Sequence, residues 1–125
     1  MSAASRLFLL AVVLATCASA GAQPVLQDRC DKWNHRSRAS VDVSGLPDGQ
    51  YYVRVTSGSR HAADSPLQAA VDGEVQFDFD SSRPDIVDGA ASIARSFIVR
   101  GKISVLVIDE TGFVVTAHER KCRAH

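Results

Sequence analysis

The sequence contains few of the residues and motifs that usually reveal a function. Among 125 residues there are three cysteines, one tryptophan and one methionine, and Lys plus Arg balance Asp plus Glu at 14 each. A chain without net charge gives no reason to expect nucleic acid as its partner. H-E-x-x-H, G-x-S-x-G, C-x-x-C and G-x-x-x-x-G-K motifs are all absent, and the four histidines show no metal-ligand spacing. We therefore expect a protein that is not an enzyme.

A long hydrophobic run is missing as well, since a membrane-spanning helix needs about 20 apolar residues. The apolar residues 7–15 follow a short basic segment and precede small residues that fit the A-x-A cleavage pattern. Residues 1–22 are therefore predicted to be a secretory signal peptide. An alternative stays open, because residues 14–17 resemble the lipobox of bacterial lipoproteins, in which Cys17 carries the lipid. The protein is expected to be secreted or periplasmic, and to contact a membrane only if Cys17 is acylated.

The other two cysteines, Cys30 and Cys122, lie near the two ends of the remaining chain. Exported proteins mature in an oxidising compartment, where a pair of cysteines normally forms a disulfide. We predict a Cys30–Cys122 disulfide that ties the ends of one domain together. About 100 residues remain after the signal peptide, which is enough for a single core.

Short strands separated by turn residues predict an all-β fold. Residues 102–109 are apolar at alternate positions on both sides, which predicts a central strand covered on both faces. Residues 39–44 and 50–56 alternate around Pro47 and Gly49 and predict a hairpin, and Asp72-Gly73 predicts a type I′ turn. Further strands are predicted at 67–71, 74–80, 95–99 and 113–118. Seven short, mostly antiparallel strands predict a β-sandwich over residues 39–125, preceded by an extended arm, residues 23–38, that holds Cys30.

Two stretches resemble known groups of proteins. The run from Val43 to Val55, VSGLPDGQYYVRV, resembles the hairpin of bacterial immunoglobulin-like and transthyretin-like sandwich domains. The later run from Phe77 to Ile98, which contains FDFDSS, GAASI and FI, resembles a group of small exported bacterial proteins of unknown function. The first resemblance implies a sandwich fold, and the second implies export without an activity.

Charge is distributed unevenly along the chain. Basic residues flank both cysteines, so a disulfide would gather them at one end, whereas the middle of the chain is acidic. Clustered carboxylates are suited to Ca²⁺, which takes six to eight oxygen ligands. A candidate calcium site is formed by the carboxylates near the end of one predicted strand: Asp78, Asp80, Asp85 and Asp88. The competing interpretation is that these are solvated strand and turn residues, one of which pairs with Arg83.

The sequence thus predicts an exported, non-enzymatic β-sandwich that binds a protein or glycan of the cell envelope or extracellular space. One alternative is a Ca²⁺- or glycan-binding module that uses the region from Asp78 to Asp88. A second alternative is a secreted inhibitor or assembly subunit that pairs through an edge strand or a charged surface. No cofactor other than Ca²⁺ is expected.

Overall fold

Two β-sheets face each other across a common apolar layer in a computed structural model that describes residues 23–125. The predicted signal peptide, with Cys17 inside it, lies outside the described residues. Within residues 23–125, no helix has the length and hydropathy needed to cross a membrane. The elements in chain order are β1 (Val25–Trp33), β2 (Arg36–Ser44), β3 (Gln50–Ser57), β4 (His61–Asp64), β5 (Gln68–Ala69), β6 (Val75–Asp80), α1 (Arg83–Val87), β7 (Ala91–Ser92), β8 (Lys102–Asp109), β9 (Val114–Lys121) and β10 (Arg123–Ala124).

The front sheet has the strand order β10-β1-β2-β6-β7, and the back sheet has the order β4-β3-β8-β9 with β5 beside β3. Most pairs are antiparallel, while β1–β10 and β6–β7 are parallel. Alternate residues of β2, β3, β6 and β8 are fully buried between the sheets, as in Val41, Val53, Phe77 and Val105. This period of two is what places one face of each strand in the core. The predicted all-β sandwich is confirmed.

The sandwich begins earlier in the chain than the sequence predicts. Residues 23–38 are not an extended arm, because Val25–Trp33 pairs along its whole length with β2. A two-residue turn, Asn34 and His35, connects β1 to β2, and the residues on either side of it, Trp33 and Arg36, pair with each other. This strand was difficult to predict from the sequence, because charged residues occupy inward positions near the edge of the sheet. One of them, Asp28, is only 4% exposed.

The predicted hairpin around Pro47 is wrong in its pairing. Both strands exist, but β2 belongs to the front sheet and β3 to the back sheet, so the loop crosses between the layers. Leu46 is buried inside this crossing, and its N–H donates to the carbonyl of Gly73 at 3.0 Å. The alternating pattern correctly located two half-buried strands, but such a pattern does not specify which sheet each strand joins.

Asp72 and Gly73 form the predicted two-residue turn, with φ of 53° and 75° and paired hydrogen bonds between Val71 and Glu74. The strands on either side do not pair with each other, since β5 joins β3 and β6 joins β2. The strand predicted at residues 95–99 is absent. Phe97 and Ile98 are both buried although they are consecutive, and adjacent residues of a regular strand point to opposite faces.

The central position of β8 is confirmed, since it lies between β3 and β9. Its two sides are covered unequally, however. Ile103, Val105 and Val107 are buried between the sheets; on the outer side Ile108 is also buried at 3% exposure, whereas Leu106 is only half-buried. The neighbouring edge strand β9 is largely exposed. The prediction that both faces of residues 102–109 are covered therefore holds for the inner face and for Ile108, and is wrong for Leu106.

Gly58, in the turn between β3 and β4, allows a test of local packing. Its φ is +63°, and a Cβ added there would lie 2.5 Å from Cγ2 of Val99. We expect Gly58→Ala to lower the free energy of unfolding by about 1–3 kcal/mol, measured by urea titration. Gly112→Ala is the control, because Gly112 has φ of +90° with no atom within 4 Å of the added Cβ. Equal losses in the two variants would show that the contact with Val99 has no effect.

Candidate functional site

The four carboxylates of the predicted calcium site lie near one groove of the front sheet. Asp80 is buried and accepts hydrogen bonds from Nε and Nη2 of Arg36 at 2.9 and 2.6 Å. Asp85 accepts from the same Nη2 at 3.0 Å, and Asp78 accepts from the hydroxyl of Ser40 at 3.1 Å. Asp88 only lines the groove.

A side-chain cation thus stands between two of these carboxylates. Burial alone would raise the pKa of Asp80, but the hydrogen bonds from Arg36 and from the backbone of Ser82 outweigh it and lower that pKa. In residues 23–125, no group of three or more His, Cys, Asp or Glu side chains is arranged to hold a metal ion. The predicted calcium site therefore has no such cluster to occupy in this part of the chain.

The predicted disulfide is present and organises the opposite edge of the front sheet. Cys30 on β1 is joined to Cys122, with their Cα atoms 4.7 Å apart. At Cys122 the chain leaves β9 of the back sheet and enters β10, which pairs with β1 in parallel. The chain's last residues are therefore fixed against the strand that carries Trp33.

A groove of about 370 Å³ opens beside this disulfide, and we call it the basic groove. It is lined mainly by cationic side chains, together with one carboxylate and one indole ring: Arg29, Cys30, Asp31, Trp33, Arg38, Arg120, Lys121, Arg123 and His125. The grouping of basic residues that the sequence predicted around the two cysteines is thus present.

Internal carboxylates neutralise only part of the groove. Asp31 is paired with Arg38 at 3.0 Å and His125 at 2.9 Å, and these hydrogen bonds lower its pKa despite the opposing effect of burial. Arg120 donates to the carbonyl of Asp28 at 2.9 and 2.6 Å.

The remaining cations of the groove have no internal partner. Within residues 23–125, Arg29, Lys121 and Arg123 have no carboxylate within 4.0 Å, and all three are exposed. Positive charge that is not compensated within the fold is available to a ligand.

Trp33 forms a fixed aromatic wall beside the groove. The imidazole of His125 stacks on it with ring centroids 4.5 Å apart, and the guanidinium carbons of Arg36 and Arg38 lie 5.1 and 5.5 Å from its centroid. These cation–π contacts hold the two arginines against the sheet. Among residues 23–125, Nε of Arg38 finds no hydrogen-bond partner although it is buried, which is rare for a buried polar group.

Charge is also separated along the strands of the whole sandwich. The basic pole comprises residues 31–38, 56–61, 80–102 and 119–125, and the acidic pole comprises residues 25–27, 42–51, 66–76 and 107–115. The acidic pole has no Lys, Arg or His; its charges are Asp42, Asp48, Asp72, Glu74, Asp109 and Glu110. The basic pole has five acids against eleven cations: Lys32, Arg36, Arg38, Arg60, Arg83, Arg95, Arg100, Lys102, Arg120, Lys121 and Arg123.

The acidic middle of the sequence does not form a single acidic region in the fold. The acidic middle of the sequence is divided between the poles, because β6 carries the chain from Glu74 at one pole to Asp80 at the other. Sequence reasoning also missed His125 and Asp31 as groove residues. The disulfide could have indicated His125. Trp33 and His125 each follow a bridged cysteine by three residues, in strands that run parallel.

No protein-family model, curated protein sequence or solved structure matches this chain. The resemblances to sandwich domains and to small exported proteins therefore stay predictions. Assignment of a function depends on the geometry of the two poles and of the basic groove.

Proposed function

We propose that the protein is an exported, non-enzymatic β-sandwich that binds an anionic partner in the basic groove. The observation that carries the proposal is the set of three exposed cations, Arg29, Lys121 and Arg123, that no carboxylate of the described chain neutralises. The partner is an acidic protein surface or an acidic glycan of the cell envelope or extracellular space.

The chemistry of the groove suits carboxylate or sulfate groups carried on a larger molecule. Arginine side chains bind such groups through paired, charge-assisted hydrogen bonds. Trp33 is half-buried next to these donors, and its contacts with His125 and Arg38 fix its position in advance. Pockets for small molecules are lined mainly by apolar side chains, whereas this groove is open and lined mainly by charged ones, which suits a surface or a polymer segment.

The proposed location outside the cytoplasm is supported by the disulfide, since disulfides persist in oxidising compartments. The proposal includes three alternative locations: secretion, periplasmic retention and lipid anchoring at Cys17. Intact mass spectrometry of the purified protein distinguishes removal of residues 1–22 from lipid attachment at Cys17. An unprocessed, unlipidated chain recovered from the cytoplasm would contradict the proposed export.

Neutralising the groove is expected to weaken anion binding by about tenfold or more. We expect the wild-type protein to bind heparin, used as a sulfated probe, and to ignore neutral dextran. The triple variant Arg29→Gln, Lys121→Gln, Arg123→Gln removes three unpaired charges, so both its affinity and the salt dependence of its affinity should fall. Isothermal calorimetry at several salt concentrations measures both quantities.

The matched control removes three positive charges outside the groove, as Arg60→Gln, Arg83→Gln, Arg95→Gln. These side chains are exposed and form no side-chain hydrogen bond within the described residues. The control should keep most of the wild-type affinity. If both triple variants lose affinity equally, the basic groove is not the binding site. If the wild-type protein binds neither heparin nor other anionic probes at low salt, the proposed function is wrong.

A further inference from the structure

The side chain of His125 lines the basic groove and is held there by three contacts. Its backbone N–H donates to the carbonyl of Lys32 at 2.9 Å, and its ring stacks on Trp33 with 14° between the two planes. Nε2 of the ring lies 2.9 Å from Oδ1 of Asp31. Together these contacts fix the main chain, the plane of the imidazole and one of its two nitrogens.

The contact with Asp31 determines which ring nitrogen carries the hydrogen while the imidazole is uncharged. Burial opposes ionisation of Asp31, but hydrogen bonds from His125 and Arg38 outweigh it and lower the pKa of this carboxyl group. An ionised carboxylate only accepts hydrogen bonds, so the hydrogen of the neutral ring lies on Nε2. Nδ1 then keeps its lone pair, and within residues 23–125 it has no hydrogen-bond partner.

The charged side chains around His125 do not change their charge near neutral pH. Lysine and arginine stay protonated there and a carboxyl group with a lowered pKa stays ionised, whereas histidine changes its charge between about pH 5 and pH 8. These neighbours belong to four strands: Arg29, Asp31 and Lys32 on β1, Arg36 and Arg38 on β2, Arg120 and Lys121 on β9, and Arg123 on β10. Among the side chains that line the groove, a change of charge in this range is therefore confined to His125.

We propose that His125 is a binding residue of the basic groove whose contact with the anionic partner forms only when the imidazole is charged. In the neutral ring Nδ1 is a hydrogen-bond acceptor, which repels a carboxylate or sulfate oxygen. In the charged ring Nδ1–H is a donor, and the positive charge of the groove rises by one. Affinity for the partner therefore increases as the pH falls. The inference rests on the proposed function, because it describes the regulation of the same groove.

Heparin binding as a function of pH tests this assignment. Isothermal calorimetry is carried out with the purified protein at about pH 7.5, 6.5 and 5.5 and at constant ionic strength. The sulfate groups of heparin stay ionised over this range, so the charge that changes belongs to the protein. One additional exposed charge pair is expected to make the wild-type affinity about threefold to fivefold higher at pH 5.5 than at pH 7.5.

Two substitutions of His125 are expected to act in opposite directions. His125→Gln keeps an N–H that can donate to Asp31 but never gains a charge, so its affinity should stay close to the wild-type value at pH 7.5 throughout the range. His125→Arg keeps a planar group that can stack on Trp33 and is always charged. At pH 7.5 it should therefore bind heparin as tightly as the wild type does at pH 5.5. A purely structural role of His125 would instead weaken binding in both variants.

His35→Gln and His118→Gln are the matched controls, because these histidines are two residues from Trp33 and Arg120 without lining the groove. Both controls should keep the wild-type ratio of affinities between pH 5.5 and pH 7.5, and circular dichroism at each pH confirms that every variant is folded.

The inference is overturned if the wild-type affinity does not rise toward pH 5.5, if it rises equally in His125→Gln, or if the rise disappears in a control instead. In each of these cases heparin still binds, so the proposed function stands. A wild-type protein that binds no anionic probe at any pH overturns the proposed function as well.

Discussion

Removing the Cys30–Cys122 disulfide is expected to lower the free energy of unfolding by about 4–5 kcal/mol. The bridge joins residues 92 apart in sequence, so it closes almost the whole described chain into a loop. In the chain-entropy description a loop of that length restricts the unfolded ensemble by about 4.6 kcal/mol. For a domain of about 100 residues with a total stability of about 5–15 kcal/mol, such a loss leaves a marginal fold.

The measurement is urea unfolding followed by the fluorescence of Trp33, which is the only tryptophan. The variant Cys30→Ala, Cys122→Ala is compared with wild-type protein reduced by dithiothreitol, and the two should unfold at similar urea concentrations. Alanine avoids leaving a polar group at position 30, which is 3% exposed. A loss below about 1 kcal/mol in both samples would mean that native packing alone fixes the two chain ends.

The same variant should also lose the basic groove. β10 has only two residues, and it pairs with β1 at Asp31 and Lys32. Without the covalent link these pairs and the stacking of His125 on Trp33 must hold the last residues by themselves. We therefore expect weaker heparin binding from the reduced protein even under conditions in which its sheets remain folded.

Local chemistry could be predicted from the sequence wherever a few adjacent residues decide the outcome. Asp72-Gly73 forms the expected turn because both residues adopt positive φ. The alternating Val75, Phe77 and Phe79 lie in the core because a strand exposes every second side chain to one face. The sandwich itself follows from many such strands in a chain of this length.

The pairing of strands that are distant in sequence could not be predicted in the same way. The pattern around Pro47 is compatible with a hairpin and with a crossing between sheets, and the crossing is accompanied by a long-range contact, the burial of Leu46 and its hydrogen bond to Gly73. Likewise, the carboxylates from Asp78 to Asp88 form a cluster in sequence. Their environment is decided by Arg36, which is 44 residues from Asp80 and reaches it through the register of β2 and β6.

The basic groove could be predicted from the sequence only in part. The two cysteines predicted that basic residues would collect at one end, and they do. The cysteines did not indicate which cations would be neutralised, since that depends on Asp28 and Asp31, two buried carboxylates on opposite sides of β1. The unpaired state of Arg29, Lys121 and Arg123 is therefore a property of the fold and is not visible in the composition.

Arg36→Ala is expected to lower the free energy of unfolding by about 2–3 kcal/mol at pH 7. The substitution leaves the carboxylate of Asp80, whose side chain is 3% exposed, without its charged partner. Loss of one member of a buried ion pair costs about 3–5 kcal/mol, and we reduce this figure because the Arg36 side chain is 32% exposed. Part of the loss comes from the contact of Arg36 with Trp33.

The pH dependence identifies the cause of this loss. In the wild-type protein the lowered pKa of Asp80 stabilises the fold above its unfolded value of about 4, and this stabilisation disappears as pH falls through the folded value. In Arg36→Ala, burial acts on Asp80 without the opposing guanidinium, so we expect its pKa to rise and the carboxyl group to take up a proton in mild acid. The difference in the free energy of unfolding between the two proteins should therefore be largest near pH 7 and should shrink toward pH 4.

Asp85→Ala is the control, because Asp85 is 48% exposed and its loss should cost about 1 kcal/mol or less. A difference between wild type and Arg36→Ala that stays constant from pH 7 to pH 4 would assign the loss to packing against Trp33 instead of to the charge of Asp80.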